Sequence, residues 1–316
     1  MAGEKTKSIG EYGEKIGRSL LDLLGWKDTI RNISITCNLG DEHKNDKGNP
    51  KQSHGDDELF VYDCPFFSDR RVAVHVSIKH SEQYNPNEAK LKGKIKSDLI
   101  ELAEIIECSK YSVETDSILN GISTERPDTK HFGLLVYTSH HKEQLDKNVT
   151  YLLNHMIFNE KINDTIYMVD NNRANFLFEV HRYLNSNYDS FKYTNPNFGF
   201  SLLGEQDNHT NFITLNMLNS DILPFRVDVE GCFEIILFCK DEFSEDSLKK
   251  GIAYAFEISQ GFTKKISIGF PDFNYHSHKS ADQTAKRNFS NENQNIDITI
   301  ETFCFLESFL TSDTNK

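Results

Sequence analysis

Hydrophobic positions recur along this chain with two periods, near 3.6 and 2.0, and the period switches often enough to predict an α/β protein. Residues 8–25 have helical spacing. Ile9, Ile16, Leu20 and Leu23 share a stripe with Gly13, and Glu14, Gly17, Leu21 and Leu24 form its neighbour. Ser8 and Glu11 are spaced as a capping box, and Gly25 is placed as a terminating residue. This puts Glu14 on a flank expected to pack inward. Residues 32–39 alternate as a strand, and the polar residues 40–55 predict an exposed loop. A second strand is expected over 58–64, ended by Pro65, and a third over 71–80. In the third, Val72, Val74, Val76 and Ile78 lie on one face, with Ala73, His75, Ser77 and Lys79 on the other.

A helix is expected over 87–108, where Leu91, Ile95, Leu99, Leu102 and Ile106 recur at helical spacing. A polar break at 109–130 follows. Then come a strand at 132–138, a helix at 144–158, a strand at 165–169 and a helix at 174–184, an order that favours βα units and a largely parallel sheet. The last third predicts strands at 223–229 and 233–238, a helix at 245–260 and a strand at 265–270. After a polar loop at 277–295 come a strand at 296–303, a short closing helix and a disordered tail from 311. A chain of 316 residues exceeds one typical domain. The expected division is residues 1–201 with accessory βα units, and an α/β region at 202–316 packed on them.

Composition narrows the chemistry. The net charge of −13 counts against a passive nucleic-acid coat, which needs Lys and Arg for phosphates. It leaves room for an enzyme with a locally basic cleft. The six cysteines contain no CxxC pair, which argues against a zinc ribbon or thioredoxin motif and for reduced core residues. No signal-peptide pattern follows Met1, and no run is long enough to span a bilayer, so a cytoplasmic protein is expected. His140-His141 and His276-Ser277-His278 lack zinc-site spacing and read as loop residues. Neither a Gly-x-Ser-x-Gly elbow nor a phosphate-binding Gly-rich loop ending in Lys-Ser/Thr is present.

Phosphodiester hydrolysis with a divalent metal needs carboxylates to hold the ion and a Lys to orient or activate water. The chain offers Glu14 in the first helix, His54-Gly55-Asp56-Asp57 before the second strand, and Lys79 near the end of the third. Gly13-Glu14, Gly25-Trp26, His54-Gly55-Asp56-Asp57 and Val76-Ser77-Ile78-Lys79, in that order, resemble the PD-(D/E)xK nuclease superfamily. The nearer likeness is to nuclease-like subunits of bacterial anti-phage systems. Residues 132–137, 169–174 and 270–274 are similar to the nuclease-like member of a two-gene defence pair carried by phage satellites.

The resemblance implies a restriction-endonuclease-like core, a mixed sheet flanked by helices, with a C-terminal α/β extension. It implies Glu14 and Asp57 as ligands of Mg²⁺ (or Mn²⁺) and Lys79 as the water-orienting lysine. It further implies DNA as substrate, a second protein subunit that restrains or recruits the enzyme, and compatibility with a homodimer. Ser77 departs from the pattern, because the family carries Glu or Asp there and a neutral hydroxyl is a poorer Mg²⁺ ligand. Another acid such as Glu14, Glu82 or Asp63 supplies the charge, or the chain is a non-catalytic sensor or scaffold. Lys90 and Lys94 share one face of the basic run 90–96 and would contact the phosphate backbone, unless that face is simply solvated.

Overall fold

A computed structural model describes residues 2–311, apart from 46, 123–125, 127, 159–161, 198–207, 230–231, 260–262, 264, 290–296 and 304–307. Contacts divide the chain into two units, one of Met1–Cys64, Ser68–Ala174 and Phe309–Lys316, the other of Pro65–Phe67 and Asn175–Ser308. The division expected after 201 lies outside the described residues. The contacts divide the chain earlier because the strand at Phe191–Thr194 pairs within the second unit's sheet.

The first unit opens with α1 (Ala2–Leu23). The helix starts upstream of Ser8, so Ser8 is an interior residue and not a cap. Its C-terminus is as the sequence predicts. Gly25 takes a φ of 81°, with Trp26 N–H donating to Leu21 O and Gly25 N–H to Asp22 O, a pattern that uses up the last carbonyls. Then come β1 (Ile30–Thr36), β2 (Ser53–Asp63), β3 (Arg70–Ser81), α2 (Glu88–Ser109), α3 (Val113–Gly121), β4 (Asp128–Ser139) and β5 (Ile166–Val169). The sheet order is β1-β2-β3-β4-β5, antiparallel up to β3 and parallel from β3 to β5. It is therefore mixed and not largely parallel. Ile95, Leu99, Leu102 and Ile106 of α2 bury against Ala73, Leu135 and Tyr137 of the sheet. Ile16, Leu20 and Leu24 of the α1 segment are also buried, as are Val74 and Val76 of β3.

Two further expectations in this unit are corrected. β2 begins at Ser53, so the His54-to-Asp57 motif lies inside the strand, with His54 opposite Ile35 and Asp56 opposite Ile33. Polar composition concealed this because the pairing partner, β1, supplies the apolar residues. The helix expected at 144–158 is replaced by 3₁₀ turns at Lys142–Gln144 and Thr150–His155. Asp170 Oδ2 accepts from Val149 and Thr150 N–H, and Asn171 Nδ2 donates to Ser139 and Gln144 carbonyls. Side chains thereby take backbone groups that a helix would have paired.

Next, α4 (Asn171–Asn187) runs from the first unit into the second. The second unit continues with β6 (Phe191–Thr194), β7 (His209–Thr210), α5 (Leu215–Leu218), β8 (Ile222–Val229), β9 (Cys232–Cys239), α6 (Glu245–Ser259), β10 (Lys265–Phe270), α7 (Tyr275–Arg287) and β11 (Asp297–Thr302). Its sheet order is β11-β10-β9-β8-β6-β7, with β9, β10 and β11 parallel. Leu248, Ile252 and Ala255 of α6 fill its core against Ile235, Leu237, Ile266 and Ile268. The loop expected at 277–295 is helical over its first half. Asn274 caps α7 by accepting from the N–H groups of His276 and Ser277. The closing helix is a single 3₁₀ turn, Phe309–Thr311, and the tail beyond it lies outside the described residues.

Candidate metal-dependent active site

The first unit holds a cleft of about 510 Å³ where β2 and β3 part between α1 and α2. Regular β2–β3 pairing stops at Glu58–Val76, and β3 runs on paired with β4 on its other side. The backbone N–H of Ile78 instead donates to Asp57 Oδ2 at 2.8 Å, so a side chain takes the place of the missing ladder carbonyl. A second irregularity aims the aspartate. Asn32 adopts a left-handed φ of 51°, a conformation Asn tolerates better than most residues. Ile33 and Ile35 share one core with Ile30 and Leu59, so the alternation of faces shifts by one residue at Asn32 and Asp57. Both residues line the cleft. Asp56 turns away, fully buried, with Oδ2 2.7 Å from His75 Nδ1.

Glu14, Asp57, Lys79, Lys90 and Lys94 line this same cleft. Glu14 does not pack inward. Its side chain is 61% exposed at the rim, 3.5 Å from Arg18 Nη2. Gly13 and Gly17 bring it there by letting α1 approach β3. A Cβ on Gly13 would come 2.5 Å from His80 Cβ, and one on Gly17 2.4 Å from Ile78 Cδ1. Arg18 also donates to Glu58, which is buried and itself lines the cleft. Ser77 is 4% exposed and is not among the lining residues.

Two carboxylates that sequence reasoning missed come from α2. Asp98 is 1% exposed, yet lines the cleft. Its Oδ1 takes a hydrogen bond from Lys94 Nζ at 2.8 Å, while its Oδ2 is buried without a hydrogen-bond partner. Glu101 accepts from Lys79 Nζ at 2.9 Å. The i,i+4 spacing of Lys94 and Asp98 was visible in the sequence, but its direction toward Lys79 depends on how α2 docks.

Burial pushes the Asp57 carboxyl above its ordinary range, against the opposing pull of the Ile78 N–H and Lys79. Burial does the same to Asp98, only partly offset by Lys94 and Lys79. For Lys79, burial favours the neutral amine, but Glu101, Asp98 and Asp57 outweigh it and hold the ammonium above its usual value. Glu101 is held below its usual range: burial opposes this, and Lys79 prevails. The cleft therefore holds two carboxylates that burial makes reluctant to ionise, beside a lysine that stays protonated.

The family model of the GAPS4 protein PD-(D/E)XK nuclease domain matches residues 1–173 of the chain. No curated protein matches it.

Proposed function

Because this chain belongs to the GAPS4 family of anti-phage defence proteins, through its PD-(D/E)XK nuclease domain, we propose that it is a Mg²⁺- or Mn²⁺-dependent DNA endonuclease. The observation that carries the reading is the buried, unpartnered Oδ2 of Asp98 in the same cleft as Asp57 and Lys79.

The donors suit a hard divalent cation. Asp57 and Asp98 offer carboxylate oxygens whose burial is costly until a cation arrives, and Glu14 offers a third at the rim. Such an ion polarises a phosphoryl oxygen and lowers the pKa of a bound water. Asp98 supplies from α2 the charge that Ser77 does not supply from β3. Lys79, kept as an ammonium, orients the attacking water and stabilises the charge that develops on the phosphate; it is not the general base. Glu101 acts through Lys79 as a positioning residue. Lys90, Lys94 and Arg18 give the cleft a local positive border for the DNA backbone, within a chain of net charge −13.

A DNA substrate and the anti-phage role of the family support a cytoplasmic setting. Among the described residues no helix is long and apolar enough to cross a membrane. Family membership also supports a second protein subunit that restrains or recruits the enzyme, and a homodimer is compatible with it. The rival reading, a nuclease-fold sensor or scaffold without catalysis, draws on Ser77 and the net charge of −13; Asp98 weakens the first motive and the basic border of the cleft the second.

The test is cleavage of linear and supercoiled DNA by the full chain, alone and with its second subunit. Cutting is expected with Mg²⁺ or Mn²⁺ and not with a chelator. Asp57→Asn, Asp98→Asn and Lys79→Ala should each lower the rate at least about a hundredfold. Variants that cut like the parent would end the proposal; DNA binding without cleavage under any metal would establish the scaffold.

A further inference from the structure

A second cluster in the first unit lies apart from the nuclease cleft and draws on residues that form no recognisable sequence motif. Cys37 follows β1, His43 sits in the β1–β2 connection, His54 is in β2 and Cys108 is in the last turn of α2. One nitrogen or sulfur atom of each lies within 4.8 Å of the corresponding atoms of the other three. His43 Nδ1 is 3.6 Å from Cys37 Sγ, 3.5 Å from Cys108 Sγ and 3.3 Å from His54 Nε2. The two sulfurs are 4.0 Å apart.

These separations match a tetrahedron of ligands. With Zn–S near 2.3 Å and Zn–N near 2.05 Å, a tetrahedral ion holds S and S about 3.8 Å apart, S and N about 3.5 Å, and N and N about 3.3 Å. From this geometry we propose that Cys37, His43, His54 and Cys108 bind one structural Zn²⁺.

Three further features support the assignment. The outward nitrogen of each histidine faces a carboxylate of α2: His43 Nε2 is 3.4 Å from Glu107 Oε2, and His54 Nδ1 is 4.0 Å from Glu104 Oε2. The Glu107 carboxylate is close enough to hold the His43 ring and its tautomer, as beside zinc-bound histidines generally, and Glu104, which also takes a hydrogen bond from Lys51, adds negative charge near His54. Among the described residues from 38 to 53, His43 alone is buried. The loop otherwise reaches α2 and the residues after it through the Lys51–Glu104 ion pair and the Asn38–Tyr111 hydrogen bond, and a metal bond would fix its one buried side chain in place. Finally, two thiolates neutralise a divalent ion, so burying the set leaves no net charge. Binding releases the two thiol protons to solvent.

Sulfur and imidazole donors select Zn²⁺ over Mg²⁺, which prefers oxygen. All four positions are filled by protein, so the ion is structural and holds no water for catalysis. It would tie the start of β2, three residues before Asp57, to the end of α2, the helix that carries Lys94, Asp98 and Glu101. The inference does not depend on nuclease activity.

Elemental analysis of the untagged full chain, grown with zinc and purified without chelator, tests it. About one zinc per chain is expected, falling to near zero in Cys108→Ser and in His43→Ala, while Asp57→Asn keeps its zinc. Should those variants fail to fold, the parent decides the matter. Cobalt exchanged into it should give thiolate charge-transfer absorption and the strong visible bands of a tetrahedral site, and chelation should expose two additional reactive thiols. A parent chain without stoichiometric zinc, zinc that survives both substitutions, or a Cys37–Cys108 disulfide in the unreduced protein would overturn the assignment.

Discussion

Burial holds Asp57 and Asp98 above the usual carboxylate range, and a divalent cation would reverse both shifts, so these residues are strained for the apo chain and suited to the holo one. Asp98→Asn removes a buried, half-partnered charge. Without divalent metal it should leave the thermal midpoint unchanged or raise it, while its cleavage rate falls. A drop of several degrees would make Asp98 a structural residue. Glu101→Gln should cost about tenfold in rate by loosening Lys79, with the loss in kcat and not in KM. The sequence made Glu14, Asp57 and Lys79 legible as a set because the superfamily motif names them. It misjudged Glu14, which is exposed at the rim, and was silent on Asp98 and Glu101. Helical period shows which residues share a face of α2, but not which strand that face meets.

Among the elements, α1 is placed by absent side chains. Gly13 and Gly17 lie against His80 and Ile78 of β3, whereas a Cβ on Gly10 would meet nothing within 4 Å. Gly17→Ala should destabilise the protein by about 1–3 kcal/mol and displace Glu14 from the cleft, because the new methyl group must push α1 off the strand. Gly10→Ala should be neutral or stabilising by up to about 1 kcal/mol, since Ala is the better helix former. Chemical denaturation of the pair checks both, and equal effects would contradict the packing account. Elements with unbroken periodicity, such as β3 and α2, were readable to within a residue or two. Those set by long-range polar bonds were not. The 3₁₀ turns at 142–155 answer to Asp170 and Asn171, the start of β2 to its pairing with β1, and α7 to the Asn274 cap.

For the whole molecule, the family match to residues 1–173 ends beside the boundary that contacts draw after Ala174, so the nuclease domain and the first folding unit nearly coincide. Periodicity alone puts a boundary at 201 because the βα order continues through α4 without a break. Both units share a sensitivity to acid. Burial lowers His131 to about 3 and His80 to about 4 in the first, and His181 to about 4 in the second, against about 6.5 in the unfolded chain. Below pH 6.5 the unfolded chain binds more protons, so stability is complete above that pH and is lost as pH falls toward the folded values. For His181, which is almost wholly buried, the loss at pH 5 is roughly 2 kcal/mol. The thermal midpoint should drop between pH 7.5 and pH 5, and less so in His181→Gln; a flat profile would contradict the burial argument. The central claim is that one cleft gathers Asp57 and Asp98 around a cation beside Lys79. Anomalous diffraction from crystals soaked in Mn²⁺ addresses it directly. The account predicts a single strong peak coordinated by Asp57 and Asp98 oxygens; manganese bound elsewhere, with this cleft showing none, would contradict it.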